Sequence, residues 1–172
     1  MNTKKQERRI PRAFGRASLS AALLVAGTAL AQGATSSRVI CATLGGASQW
    51  EAVGDRNGHN IQVTHGNCRV EGGALDGGIV ANNGIWEFDG ATGTLLSGDG
   101  VVRKSGALAA FRITTGNIAL TMKDGVPAGW TASGKGVYTL ASGSAAALAG
   151  KTYSWTARPT GPGQSVQEWT MD

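Results

Sequence analysis

ALAAFRITTGNIALTMKDG, residues 107–125, carries the clearest architectural signal in the chain. Ala109, Phe111 and Ile113 alternate with Leu108, Ala110 and Arg112; further on, Ile118, Leu120 and Met122 alternate with Ala119, Thr121 and Lys123. A period of two puts each series on one face of a strand, whereas an amphipathic helix would repeat its apolar residues every 3.6 positions or so. Asp124-Gly125 then ends the stretch with a pair that hairpin turns favour, because glycine reaches positive φ without a Cβ clash. The pattern predicts two short antiparallel strands, 107–114 and 117–123, joined by a turn at Thr115-Gly116-Asn117.

The same rhythm continues on either side. Candidate strands at 38–43, 48–54, 60–70, 78–88 and 93–104 precede this stretch, and candidates at 126–140, 152–158 and 164–171 follow it. Asp55-Arg56-Asn57-Gly58, Asp89-Gly90 and Asp99-Gly100 read as further turns. Tyr153, Trp155 and Ala157 face away from Thr152, Ser154, Thr156 and Arg158, the mark of a half-buried strand. Only residues 144–149, Ala-rich between Gly143 and Gly150, read as a helical turn, too short to stand without packing on a sheet. The expectation is an all-β, antiparallel up-and-down β-barrel, with a β-sandwich as the alternative. Closure removes exposed strand edges. Glycines inside the strands, as at Gly84, Gly98, Gly129, Gly134 and Gly136, suit the coiling of a small barrel. No fixed repeat supports a solenoid.

Residues 1–31 have the parts of a cleavable Sec-type signal peptide. Lys4, Lys5, Arg8, Arg9, Arg12 and Arg16 form a basic head, 17–30 is apolar, and Ala29 and Ala31 present small side chains before a cut at Gln32. The apolar run is shorter than the roughly 20 residues that span a bilayer. A single domain, 32–172, is then expected in the periplasm or outside the cell, without a membrane span. The whole chain carries 16 Lys and Arg against 11 Asp and Glu, a net charge of +5. Six of those basic residues and Glu7 fall within 1–31, so the remaining domain is formally neutral. A phosphate-backbone binder needs clustered, unbalanced basic residues, which excludes nucleic acid as the expected partner. Export also makes a disulfide between Cys41 and Cys68 the natural state. His59 and His65 lie nearby, but the spacing matches no zinc pattern, and no metal is expected.

The chain has no nucleophile elbow, phosphate loop, zinc-protease helix or calcium loop, and no cofactor is expected. His65 shares a strand face with Ile61 and Val63; if that face turns inward, its imidazole serves as a general base or a ligand contact, or is simply a hydrogen-bonded structural group. His59 follows Gly58 at a turn and is expected to be exposed. Glu87 and Asp89 flank Phe88 on one strand face, at the lower limit of separation for a carboxylate pair, about 5 Å. The plainer account places them on a solvated outer face with Trp86 and Phe88 behind. Arg112 is a candidate ion-pair partner for such carboxylates. His65, Glu87 and Asp89 are therefore the weak catalytic candidates. Trp50, Trp86, Trp130, Trp155 and Trp169, with Tyr138, Tyr153 and Phe111, either fill a core or line an apolar pocket.

Several segments resemble a group of uncharacterised secreted bacterial proteins: ASGKG at 132–136, SAAALAGK at 144–151, TGPGQ at 160–164, Gly58-His59, Cys68 and GDGVVRK at 98–104. The resemblance covers most of the chain after the signal and implies export, but brings no activity with it. More loosely, the strand-and-turn rhythm looks like lipocalin-type or allene oxide cyclase-type barrels. That likeness is architectural and transfers no catalytic residue. The leading expectation is a secreted barrel that binds a small apolar or aromatic ligand in its interior, with His65, Trp86, Phe111, Tyr153 and Trp155 as contacts. A cofactor-free barrel isomerase, cyclase or lyase, and a structural or surface-interaction module, are the alternatives.

Overall fold

Alternating side chains and tight turns produce nine strands in the computed structural model, which describes residues 36–44 and 49–172; the expected signal peptide lies outside the described residues. They are β1 (Ser36–Thr43), β2 (Gln49–Ala52), β3 (His59–Glu71), β4 (Ile79–Asp89), β5 (Thr92–Lys104), β6 (Ala107–Lys123), β7 (Val126–Gly143), β8 (Thr152–Gly161) and β9 (Gln164–Met171). A 3-10 turn at Ala146–Leu148 is the only helical feature among the described residues and falls where a helical turn was expected. The sheet order is β1-β9-β8-β7-β6-β5-β4-β3-β2, and a further antiparallel pairing of β1 with β3 closes it. Eight strands thus form the up-and-down barrel that closure arguments favour over a sandwich, and β2 is the extra strand. β1 and β2 lie end to end along one edge of β3: Thr43 pairs with Gly66, and Gln49 with Val63. Cys41 and Cys68 face each other in register across the closing seam and form the expected disulfide.

One end of the barrel is packed. Val39, Val70, Val80 and Val102 are at most 1% exposed there, and Leu75 and Ala145 fold in from the β3–β4 and β7–β8 connections. Completely burying a side chain of this size contributes about 1.5–3 kcal/mol relative to leaving it in water. No helix among the described residues is long and apolar enough to cross a membrane.

Two expected turns are instead strand interior. Thr115-Gly116-Asn117 lies within β6, where the register against β7 shifts between Ile113 and Thr115. The extra residue turns Phe111 and Ile113 before it, and Ile118 and Leu120 after it, toward the same interior, so one strand replaces the two anticipated. Gly116 faces inward, where a Cβ would stand 3.0 Å from Leu95 Cβ and 3.2 Å from Trp86 Cη2. Asp99-Gly100 is likewise inside β5. A Cβ at Gly100 would lie 2.5 Å from Phe111 Cζ, so this glycine makes room for a ring rather than a bend. Asp124 and Gly125, by contrast, both adopt positive φ, 51° and 78°, and make the hairpin expected of them. Met122, expected on the apolar face, is 46% exposed beyond a further register shift next to Thr121.

Candidate functional site

At the end opposite the packed valines, the interior widens into a cavity of about 380 Å³. Its walls are aromatic because β4, β6, β8 and β9 each turn large rings inward: Trp86, Phe111, Tyr153, Trp155 and Trp169 are all buried. Trp86 and Trp155 meet edge to face at 6.5 Å between centroids, Phe111 and Trp169 at 5.2 Å, and Tyr153 stacks on Trp169 at 5.1 Å. Glycines on the neighbouring strands create the space. At Gly136, paired with Tyr153, a Cβ would fall 2.3 Å from the Tyr153 ring, so only glycine lets that ring lie flat against β7. Leu95, Ile113 and Ile118 complete the apolar surface. β2 hangs Trp50 over the mouth, 45% exposed, with its ring centroid 4.5 Å from that of Phe88.

Polar groups also reach this chamber, among them Gln62, Thr64, Asn82, Ser165 and Gln167, with His65 at the rim. Thr64 Oγ1 donates to the Gly84 carbonyl at 3.2 Å, and Trp169 Nε1 donates to Gln167 Oε1 at 2.8 Å. Gln62, 9% exposed, also faces inward. Tyr153 Oη and Trp155 Nε1 are buried without any hydrogen-bond partner among the described residues. Burial pushes the Tyr153 phenol far above its ordinary range, with Tyr138 adding to the shift, so Tyr153 is a neutral donor. Among the described residues, no Asp, Glu, Lys or Arg lines the cavity.

All five expected ligand contacts line the cavity, Trp86, Phe111, Tyr153 and Trp155 as buried residues of its wall and His65 as an exposed one. His65 is placed differently. The inward row of β3 is Gln62, Thr64, Gly66, Cys68 and Val70, so Ile61, Val63 and His65 belong to the outer row, and His65 is an exposed residue beside the cavity rim. The one-residue offset reverses the face anticipated from hydropathy, since a strand changes every side chain's side at each step. Cys68 held the missing signal: a cysteine that must reach its partner through the seam shares its face with Gln62 and Thr64, two contacts that hydropathy alone passes over.

Glu87 and Asp89 alternate with the buried Trp86 and Phe88 and lie outside the cavity. They belong to a separate polar cluster on the β2–β3 turn. His59 Nδ1 meets Asp55 Oδ1 at 2.5 Å and His59 Nε2 meets Glu87 Oε1 at 2.8 Å, while Arg56 bridges Asp55 and Asp89 at 2.9 and 3.1 Å. His59, expected to be exposed, is only 8% so, because these side chains and the turn cover it. Hydrogen bonds to Asp55, and then to Glu87, hold its imidazole above the usual range, and the same contact holds the Asp55 carboxyl below its own. Arg112 is exposed and stands opposite Asp99 in the register, not beside Glu87. No three His, Cys, Asp or Glu residues among those described are grouped to hold a metal ion. No protein-family model, no curated protein and no solved structure matches this chain, so the barrel and its cavity are the observations from which function is read.

Proposed function

We propose that this protein is an exported binder of a small apolar or aromatic molecule, held inside the barrel among Trp86, Phe111, Tyr153 and Trp155. The observation that carries this reading is the aromatic cavity of about 380 Å³ beyond a packed half-core. An eight-stranded barrel has room either for its own side chains or for one small ligand, and small-molecule sites start at about 300 Å³. The candidates for proton transfer support binding over catalysis, since Glu87 and Asp89 lie outside the chamber and His65 stays at its rim. Export is supported by the signal-like residues 1–31 and by the disulfide, a bond that persists in oxidising compartments.

All five tryptophans line the cavity, so an occupant must alter their emission. Titration with a panel of lipids, terpenoids and small aromatics is expected to quench tryptophan fluorescence for at least one class. A ligand at about a hundredfold its Kd should also stabilise the fold by about 2.7 kcal/mol. A panel that moves neither emission nor Tm contradicts the proposal.

A further inference from the structure

We infer that the ligand is uncharged and carries a hydrogen-bond acceptor oxygen, such as the carbonyl of a ketone, ester or lactone, seated against the side chains of Tyr153 and Trp155. This inference rests on the binding reading above and specifies the chemistry of the same site. Tyr153 and Trp155 are adjacent inward residues of β8, 1% and 6% exposed, and both line the cavity. Each ends in a donor, Tyr153 Oη–H and Trp155 Nε1–H, that no described residue accepts from. Trp169 shows the contrast: its indole N–H in the same chamber is taken up by Gln167. A buried donor normally finds a partner, and leaving one unmet forfeits much of its hydration energy. Two unmet donors on one face of β8, among the rings that line the cavity, match a molecule that is hydrocarbon over most of its surface and carries an acceptor.

Packing holds the Tyr153 donor in position. Its ring lies between Tyr138 at 5.1 Å and Trp169 at 5.1 Å, edge-on to Phe111 at 6.3 Å, and its hydroxyl rests over Gly136. The hydroxyl oxygen is fully covered in this packing, so an acceptor reaches it as the rings around it shift. The charge state of the ligand follows from the lining. Among the described residues no Lys or Arg lines the cavity, and His65 is an exposed residue away from the buried rings, so a carboxylate or phosphate seated among them would be buried without a counter-ion, at a cost far above that of a neutral carbonyl.

Three shape-matched probes test the assignment by calorimetry on the full domain: methyl naphthyl ketone, isopropenyl naphthalene and naphthoate. The ketone should bind about tenfold more tightly than the hydrocarbon, the effect of one well-placed hydrogen bond, and naphthoate should bind far more weakly than either. Tyr153→Phe and Trp155→Phe should each narrow the ketone's advantage over isopropenyl naphthalene, whatever they do to the affinity of both, a change of ratio that a purely structural role would not give. Equal affinity for ketone and hydrocarbon in the unaltered protein, or naphthoate binding as tightly as the ketone, overturns this inference and leaves the apolar-binding reading standing. If none of the three binds, while the unaltered protein also ignores the wider panel, the binding reading itself fails.

Discussion

Reducing the disulfide should loosen the barrel at the one pairing that makes it a barrel. Cys41 and Cys68 sit directly opposite each other in the β1–β3 ladder, and among the described residues no other pairing joins the two ends of the sheet. The bond closes a loop with a sequence separation of 27. In the chain-entropy model, removing such a cross-link frees the unfolded chain by about 3.5 kcal/mol at 25 °C. For a domain of roughly 140 residues, whose unfolding entropy is about 0.3 kcal/mol/K, the loss corresponds to a fall in Tm of about 12 °C. Thermal unfolding of the oxidised protein, of the reduced protein, and of the Cys41→Ala/Cys68→Ala double variant checks the number. Hydrogen exchange adds the location: amides of β1 and of β3 from Gly66 to Glu71 should exchange faster after reduction, with β6 and β7 changed least. A double variant melting within 2 °C or so of the oxidised protein, with β1 equally protected, would refute the idea that the bond staples the seam.

Other consequences can be measured on the same material. Gly136→Ala should destabilise the domain by about 1–3 kcal/mol in chemical denaturation, because the new Cβ meets the Tyr153 ring at 2.3 Å; Gly129→Ala, whose nearest atom is Thr121 Cβ at 3.9 Å, should change little. His59 is held above the ordinary imidazole pKa by Asp55 and Glu87, so its stabilising contribution is complete below about pH 6.5 and disappears as pH rises through the raised folded value. Tm recorded from acid to mildly alkaline pH should therefore decline through that window, and His59→Gln should flatten the decline. Trp50→Ala removes an exposed ring that leans on Phe88 at the mouth; ligand affinity in the fluorescence titration should drop severalfold while Tm stays nearly constant.

Strand class, turns such as Asp124-Gly125, the disulfide and the aromatic inventory were all readable along the chain, because alternation and turn preference are properties of neighbouring residues. Barrel closure was also foreseeable, since so many short strands joined by hairpins would otherwise expose an edge. The face that β3 turns inward was not. Ile61, Val63 and His65 form the more apolar-looking row, yet Gln62 and Thr64 enter the chamber, because the register with β1 and β4 sets the side. Gly100 and Gly116 were equally silent. A glycine offers no hydropathy, and whether it bends the chain or yields to a ring depends on Phe111, Trp86 and Leu95 arriving from elsewhere in the sequence. The unmet donors of Tyr153 and Trp155 have the same origin: both side chains can be named from the strand pattern, but the lack of a partner is a fact about every other residue that closes around them.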